Sequence, residues 1–230
     1  MNYKIISDEP ALVQFIDWLP ELDTNEKFYM SLFARKKYCP EMVQSSDKTQ
    51  LKRFITDKKS MVDKIKQLEC EYGSYRLKDR EVPQESLVLY INPNPRNLLK
   101  ASYAGIRSLL HLIESGGQGF NPIQEVISCV QRAKGTKHFV DFDFDMTDKG
   151  TEVPLVMEKL NLVINTDCLT FVETRGGLHM LVNTKKIEPS FKSTWYKAIQ
   201  SFSGCDQTGD QLLPVPGTIQ GGFTPKMFVI

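Results

Sequence analysis

The sequence predicts a fold that mixes helices and strands, and three observations carry that prediction. Apolar residues recur at helical spacing in the first half, among them Leu51, Phe54, Ile55, Met61, Ile65 and Leu68. In the second half, residues 138–146 alternate strictly between apolar and acidic side chains, which is the period of a strand. Thr170–Val182 then reads as a hairpin, two strand-like stretches joined at Gly176-Gly177.

In chain order, Pro10 to Leu19 reads as a short helix. Lys27 to Phe33 alternates aromatic and small residues, a strand that runs into the basic cluster Arg35-Lys36-Lys37. Thr49 to Tyr72 is charged with helically spaced apolar residues, so one or two surface helices are expected. Ser86 to Ile91 is an apolar strand leading into Asn92-Pro93-Asn94-Pro95-Arg96, a turn by composition. Asn97 to Glu114 is helical and stopped by Gly116-Gly117, and Pro122 to Arg132 is another helix. His138 to Met146 is a strand, Pro154 to Leu160 a short helix, and Leu169–Arg175 and Leu178–Val182 a strand pair. Phe191 to Phe202 is helical, and the tail from Cys205 is rich in turns. The division between halves falls at Ala133 to Thr136, giving 1–133 and 134–230.

Of the 230 residues, 41% are hydrophobic and 25% charged, ordinary values for a chain with a buried core. The formal net charge is +1. A protein that grips a long duplex is usually more basic, so any nucleic-acid contact is short or rests on a local patch. The five cysteines (Cys39, Cys70, Cys129, Cys168, Cys205) form no CxxC pair, which argues against a zinc site and for reduced thiols. The N-terminus has no basic segment followed by an apolar run, and no apolar stretch reaches the roughly 18 residues of a spanning helix. A soluble, cytoplasmic protein with no membrane association is expected.

On the 138–146 strand, Val140, Phe142, Phe144 and Met146 point one way and Asp141, Asp143 and Asp145 the other. Three carboxylates along one face repel one another unless a cation sits among them. A strand that buries aromatics on one side and presents acids on the other suits Mg²⁺ or Mn²⁺, which prefer oxygen ligands. Polar residues on an exposed strand face are ordinary, but aspartate is a poor strand residue. Asp141, Asp143, Asp145 and Glu152 also fall at positions 1, 3, 5 and 12 of a calcium-binding EF-hand loop. The glycine that such a loop needs at its sixth position is Met146 here.

In the hairpin, Gly176-Gly177 is expected to supply the positive φ values of a tight turn. If Arg175 pairs with Leu178, Thr174 lies opposite His179, and Arg175 stands at the tip, able to reach a phosphate with its planar fork. A lone strand histidine is as readily a filler as a functional group. Farther on, Asp206 and Asp210 precede an apolar stretch and a Pro-Gly turn; aspartates in turns often bond their own backbone. A double acid, a histidine hairpin and a further acid thus follow in order within 141–210.

That order resembles the three-motif signature of the archaeo-eukaryotic primase and primase-polymerase superfamily. Phe142-Asp143-Phe144-Asp145-Met146-Thr147-Asp148 is similar to the first motif of its eukaryotic small-subunit form. Gly177-Leu178-His179 resembles the second motif and Cys205-Asp206 the third, with Asp210 the competing choice. Leu212 to Thr218 is similar to the segment that follows in the primase-polymerase branch, and Tyr90 to Arg96 to a strand-then-Asn-Pro-Arg element of some members. The resemblance implies an α+β fold, with an RRM-like catalytic sheet (134–230) packed against an N-terminal αβ lobe (1–133) and the active site in the cleft between them.

It also implies template-dependent nucleotidyl transfer with two divalent ions, Mg²⁺ or Mn²⁺, held by Asp143, Asp145 and Asp206, with Asp141 as an additional acid. His179 would contact the triphosphate, with Arg175, Thr174, Gly177 and Lys185 completing the nucleotide-binding candidates. Many relatives carry a cation before the third motif's Pro-Gly turn. Gln211 and Pro214 stand there in this chain, so Arg175, Lys185, Lys186 and Lys226 are the candidate replacements. Arg35, Lys36, Lys37 and Arg96 are candidates to follow a template backbone. The partners implied are a single-stranded nucleic-acid template, nucleoside triphosphates and a helicase or other replication subunit, in a setting that includes viruses and mobile elements. The competing readings are a metal-dependent nuclease or phosphodiesterase and a catalytically degenerate primase-like subunit that binds nucleic acid.

Overall fold

The computed structural model describes residues 1–41, 46–116 and 121–229. The protein is a mixed α+β fold built on two antiparallel sheets. Helix α1 (Glu9–Trp18) is followed by strands β1 (Glu26–Arg35) and β2 (Lys48–Thr56), helix α2 (Lys58–Lys66) and a small hairpin of β3 (Arg76–Leu77) and β4 (Arg80–Glu81). Then come β5 (Leu87–Ile91), β6 (Arg96–Asn97), α3 (Leu98–Glu114) and α4 (Pro122–Arg132). The second half holds β7 (Phe139–Asp145), α5 (Lys149–Leu160), β8 (Leu169–Thr174), β9 (Gly177–Asn183), α6 (Trp195–Gln200), β10 (Cys205–Gly209), β11 (Leu213–Pro214) and β12 (Lys226–Phe228). No helix among the described residues is long and apolar enough to cross a membrane.

The first sheet runs β11-β5-β1-β2, with β6 also pairing β1, and the second runs β10-β7-β9-β8-β12. β11 belongs to the second half of the chain yet pairs Leu213 with Ile91 and Pro214 with Tyr90. One core lies under the first sheet, where Leu12, Phe15 and Ile16 of α1 and Met61 and Ile65 of α2 cover Phe28, Met30 and Leu32 of β1. A second core fills the space between the second sheet and helices α5 and α6, around Phe142, Phe144, Met180 and Ile199. Val172 and Leu181, on the opposite face of the second sheet, join the first core. That face is therefore turned toward the first sheet.

The segment after β5 fastens the two sheets together. Asn92 Nδ2 donates to Gln211 O at 2.8 Å. Asn94 Nδ2 donates to Phe139 O at 2.9 Å, and its Oδ1 accepts from the backbone of His138 and Phe139 at 2.8 and 2.9 Å. Arg96 forms an ion pair with Asp210 at 2.7 Å. The Asn-Pro-Asn-Pro-Arg turn thus spends its polar side chains on holding β7 and the 210–211 segment.

Several elements differ from expectation. Residues 48–56 form a strand rather than the start of a helix, because they pair with β1 from Arg35↔Lys48 to Phe28↔Thr56. Tertiary pairing overrides a local pattern here, and the helix begins only after Asp57, whose carboxylate caps Ser60 N at 3.0 Å. Helix α5 starts earlier than Pro154, at Lys149, because Asp148 caps it and Glu152 reaches back to Thr147 N and Asp148 N. Helix α6 is shorter than Phe191–Phe202, and the tail carries three strands. Helix α3 ends with Gly116 at φ +77°, as a C-terminal glycine allows; Gly117 lies outside the described residues.

Candidate active site

β7 lies between β9 and β10, and the three strands put the predicted acids and the histidine on one face. Asp143 stands directly opposite His179, and Asp145 opposite Gly177. On the other side, Phe144 pairs with Cys205 and Asp143 with Gln207, so Asp206 is the extra residue of a β-bulge. A bulge re-aims a side chain, and Asp206 lines the same cleft as Asp143 and Asp145. Burial is graded along β7: Asp141 is 1% exposed, Asp143 half-buried and Asp145 exposed. The opposite side chains Val140, Phe142 and Phe144 are buried in the second core.

The cleft holds about 460 Å³ between the two sheets. Its far wall comes from the first sheet and the turn after it: Arg35, Lys37, Tyr38, Lys48 and Tyr90. Arg35 is fixed by Asp47, through Nε at 2.8 Å and Nη2 at 2.6 Å. Burial, then the neighbouring Arg35 cation, push the Lys48 amine below its ordinary pKa. Asp143 is shifted the other way. Its desolvation raises the carboxyl pKa, and Asp141, Asp145 and Asp206 add to the rise against the opposing pull of His179. Among the described residues no three acid, histidine or cysteine side chains are drawn to metal-ligand spacing.

His179 is 5% exposed and lies between two carboxylates. Its Nδ1 is 3.0 Å from each Asp141 oxygen, and its Nε2 is 3.4 Å from Asp143 Oδ1. Burial opposes a charged ring, but the carboxylates of Asp141, Asp143 and Asp145 outweigh it and hold the pKa up at about 8. The folded protein therefore binds this proton more tightly than the unfolded chain, whose histidine titrates near ~6.5. The associated stability, on the order of 2 kcal/mol, is complete below pH ~6.5 and lost as pH rises through about 8. In metal-free buffer the urea midpoint is expected to fall across that window in wild type, and His179→Gln is expected to flatten the fall. Identical slopes for the two proteins would refute the assignment.

The other candidates divide. Thr174 is buried and lines the cleft. The hairpin register is Thr174↔Gly177 and Val172↔His179, two residues away from the expected pairing. The two-residue shift preserves the faces, so Thr174 stays on the His179 side. The turn residues are Arg175 and Gly176, and neither they nor Gly177 has a positive φ. Gly177 is required for a different reason: a Cβ there would sit 1.9 Å from Phe144 O, so only glycine lets β7 come this close. Arg175 does not line the cleft. Its guanidinium donates to Gly221 O and lies 4.6 Å from the Tyr38 ring centre, while its backbone N donates to Gln220 Oε1.

Asp141 has both oxygens on His179 Nδ1 and no exposure to the cleft, so it orients the imidazole rather than offering itself to an ion. Lys185 is exposed in the turn beyond the far end of β9, whose last residue Asn183 is about 13 Å along the strand from His179. It does not reach the cleft, and neither Lys186 nor Lys226 lines it. Arg96 is buried on Asp210 and does not line the cleft. Asp210 also lines the cleft, but its charge is already matched by Arg96. Lys48, Tyr38 and Gln207 line the site without having been singled out, and Tyr90 and Gln220 line it beside them. No local signal marks Lys48; its position follows from pairing with Arg35.

No family model matches the chain, and no curated protein or solved structure matches it.

Proposed function

We propose that this chain is a template-dependent nucleotidyltransferase of primase or primase-polymerase type, joining nucleoside triphosphates on a single-stranded template. One observation carries the reading. Asp143, Asp145 and Asp206, from two segments distant in sequence, share a cleft with His179, opposite a wall bearing Arg35, Lys37 and Lys48. Acids for cations and cations for phosphates face one another across a space of about 460 Å³.

The carboxylates fit a pair of Mg²⁺ or Mn²⁺ ions. They are oxygen donors, and the pKa of Asp143 is raised first by its burial and then by neighbouring carboxylates, whose charge a cation would relieve. Asp143, Asp145 and Asp206 would hold the ions, which would supply a lowered pKa to an attacking hydroxyl and a counter-charge to a leaving pyrophosphate. His179, held by Asp141, turns Nε2 toward the cleft and supplies a positive donor for a phosphate oxygen. Lys37 and Lys48 neutralise the rest of the triphosphate, taking the part that Arg175 and Lys185 were expected to play. Tyr38 and Tyr90 offer aromatic surface beside them.

The second sheet is, in this reading, RRM-like. The chain order β7-α5-β8-β9-α6-β10 and the spatial order β10-β7-β9-β8, all antiparallel, support it.

The test is incorporation and strand cleavage assayed side by side with wild-type protein. With a single-stranded template, nucleoside triphosphates and Mg²⁺ or Mn²⁺, oligonucleotide synthesis is expected, and a chelator is expected to abolish it. Cleavage without triphosphate would move the assignment to a nuclease. Neither activity, together with binding of template alone, would leave a nucleic-acid-binding subunit.

A further inference from the structure

Helix α3 carries two apolar stripes. The inward one holds the buried Ala101 and Gly105 with the partly buried Leu98, Leu109 and Leu112. The other faces away: Leu99, Tyr103, Ile106, Leu110 and Ile113 are 51–78% exposed. Their spacing alternates four and three residues, the a/d seam of a coiled coil, sustained over the length of the helix. A surface helix normally turns such a stripe inward. On neighbouring α4, Ile123 and Val126 extend the patch at 71% and 43% exposure. Together these side chains expose apolar surface on the order of 600 Å², at the top of the range for the largest patch on a monomer. That area approaches the roughly 800 Å² per partner of a standard interface.

We propose that this face pairs with the same face of a second copy, α3 against α3 in antiparallel register, giving a twofold dimer. A seam that reads the same on both partners satisfies the self-complementarity a twofold interface demands. The charges flanking the seam select the orientation. Lys100, Arg107 and Glu114 occupy one flank at seven-residue intervals. Antiparallel pairing centred near residues 107 and 108 sets Tyr103 against Ile113 and Ile106 against Leu110 of the other copy. It also places Lys100 beside Glu114 twice, at the cost of one Arg107–Arg107 approach. The alternative antiparallel register, which pairs Leu99 with Leu110, sets Lys100 against Arg107 and loses both opposite-charge pairs. The dimer rests on no reading of the cleft, since none of these residues lines it.

Sedimentation of the full chain at micromolar concentrations tests the proposal. Wild type is expected to show the mass of two chains. Ile106→Glu with Leu110→Glu is expected to show one chain with unchanged circular dichroism, because both side chains are exposed. Arg107→Cys is expected to form a disulfide-linked dimer under oxidation, and Leu99→Cys is not. A wild type that stays monomeric at its highest soluble concentration overturns the proposal and leaves the face to another partner. So does a double variant that remains dimeric, or equal cross-linking at 99 and 107.

Discussion

Asp206→Ala and Asp210→Ala are expected to fail in opposite ways, although both acids line the same cleft. Asp210 accepts from buried Arg96 at 2.7 Å, with the two side chains 13% and 4% exposed. Arg96 Nε already has no partner among the described residues. Removing the carboxylate leaves a guanidinium buried without its counter-charge, and breaking such a pair costs about 3–5 kcal/mol. The Asn92–Arg96 clasp on the second sheet would loosen with it. Asp206 is exposed, sits on a bulge and accepts from Gln207 Nε2 at 3.2 Å. Its loss should leave the melting temperature nearly unchanged, as surface substitutions generally do. On the proposed function, incorporation should nevertheless fall roughly 100-fold or more, since Asp206 would then help hold an ion worth several kcal/mol of transition-state charge stabilisation. Thermal melts and primer-extension rates on the two variants decide it. A stable, inactive Asp210→Ala beside an active Asp206→Ala would exchange their roles.

What could be read in the sequence was local. The alternation along 139–145 is a period-two signal that needs no knowledge of neighbours, and it placed the acids and the aromatics on their correct faces. The ordering of acids, histidine and acid was equally visible, because each sits in a short stretch with its own turn chemistry. What escaped depends on pairing across distance. Leu51, Phe54 and Ile55 satisfy helical spacing, yet Phe54 pairs with Met30 and Ile55 with Tyr29 in a strand. With that strand misread, Lys48 could not be seen beside Arg35, and the cations were sought at Arg175, Lys185, Lys186 and Lys226 instead. The Arg96–Asp210 pair spans 114 residues, and no local pattern announces it. Gly177 was assigned to the turn, whereas its need is set by the backbone of β7. The grouping of side chains was legible where one strand carries it and illegible where two sheets meet.

Asp143→Asn is expected to stabilise the metal-free protein while removing its activity, and that opposition is the strongest mark of a site kept for function. The Asp143 carboxyl pKa is raised, first by burial and then by Asp141, Asp145 and Asp206, a rise that the attraction of His179 does not cancel. A carboxyl whose folded pKa lies above its unfolded value contributes stability only while protonated, and the contribution is lost as pH rises through the folded pKa. At neutral pH Asp143 is therefore a net burden on the fold without ions. Asparagine keeps the shape and drops the charge. It gives up the 3.4 Å approach to His179 Nε2, but Asp141 still holds the other ring nitrogen at 3.0 Å. In chelator, the variant's melting temperature should rise by a few degrees, the size of shift that about 1 kcal/mol produces in a domain of this length. With Mg²⁺ or Mn²⁺ the order should reverse, because wild type gains the binding free energy of the ions and the variant gains less. Incorporation should drop to background in the same variant. A variant that melts lower than wild type in chelator and is stabilised by Mn²⁺ as strongly as wild type would show that Asp143 serves the fold rather than a cation.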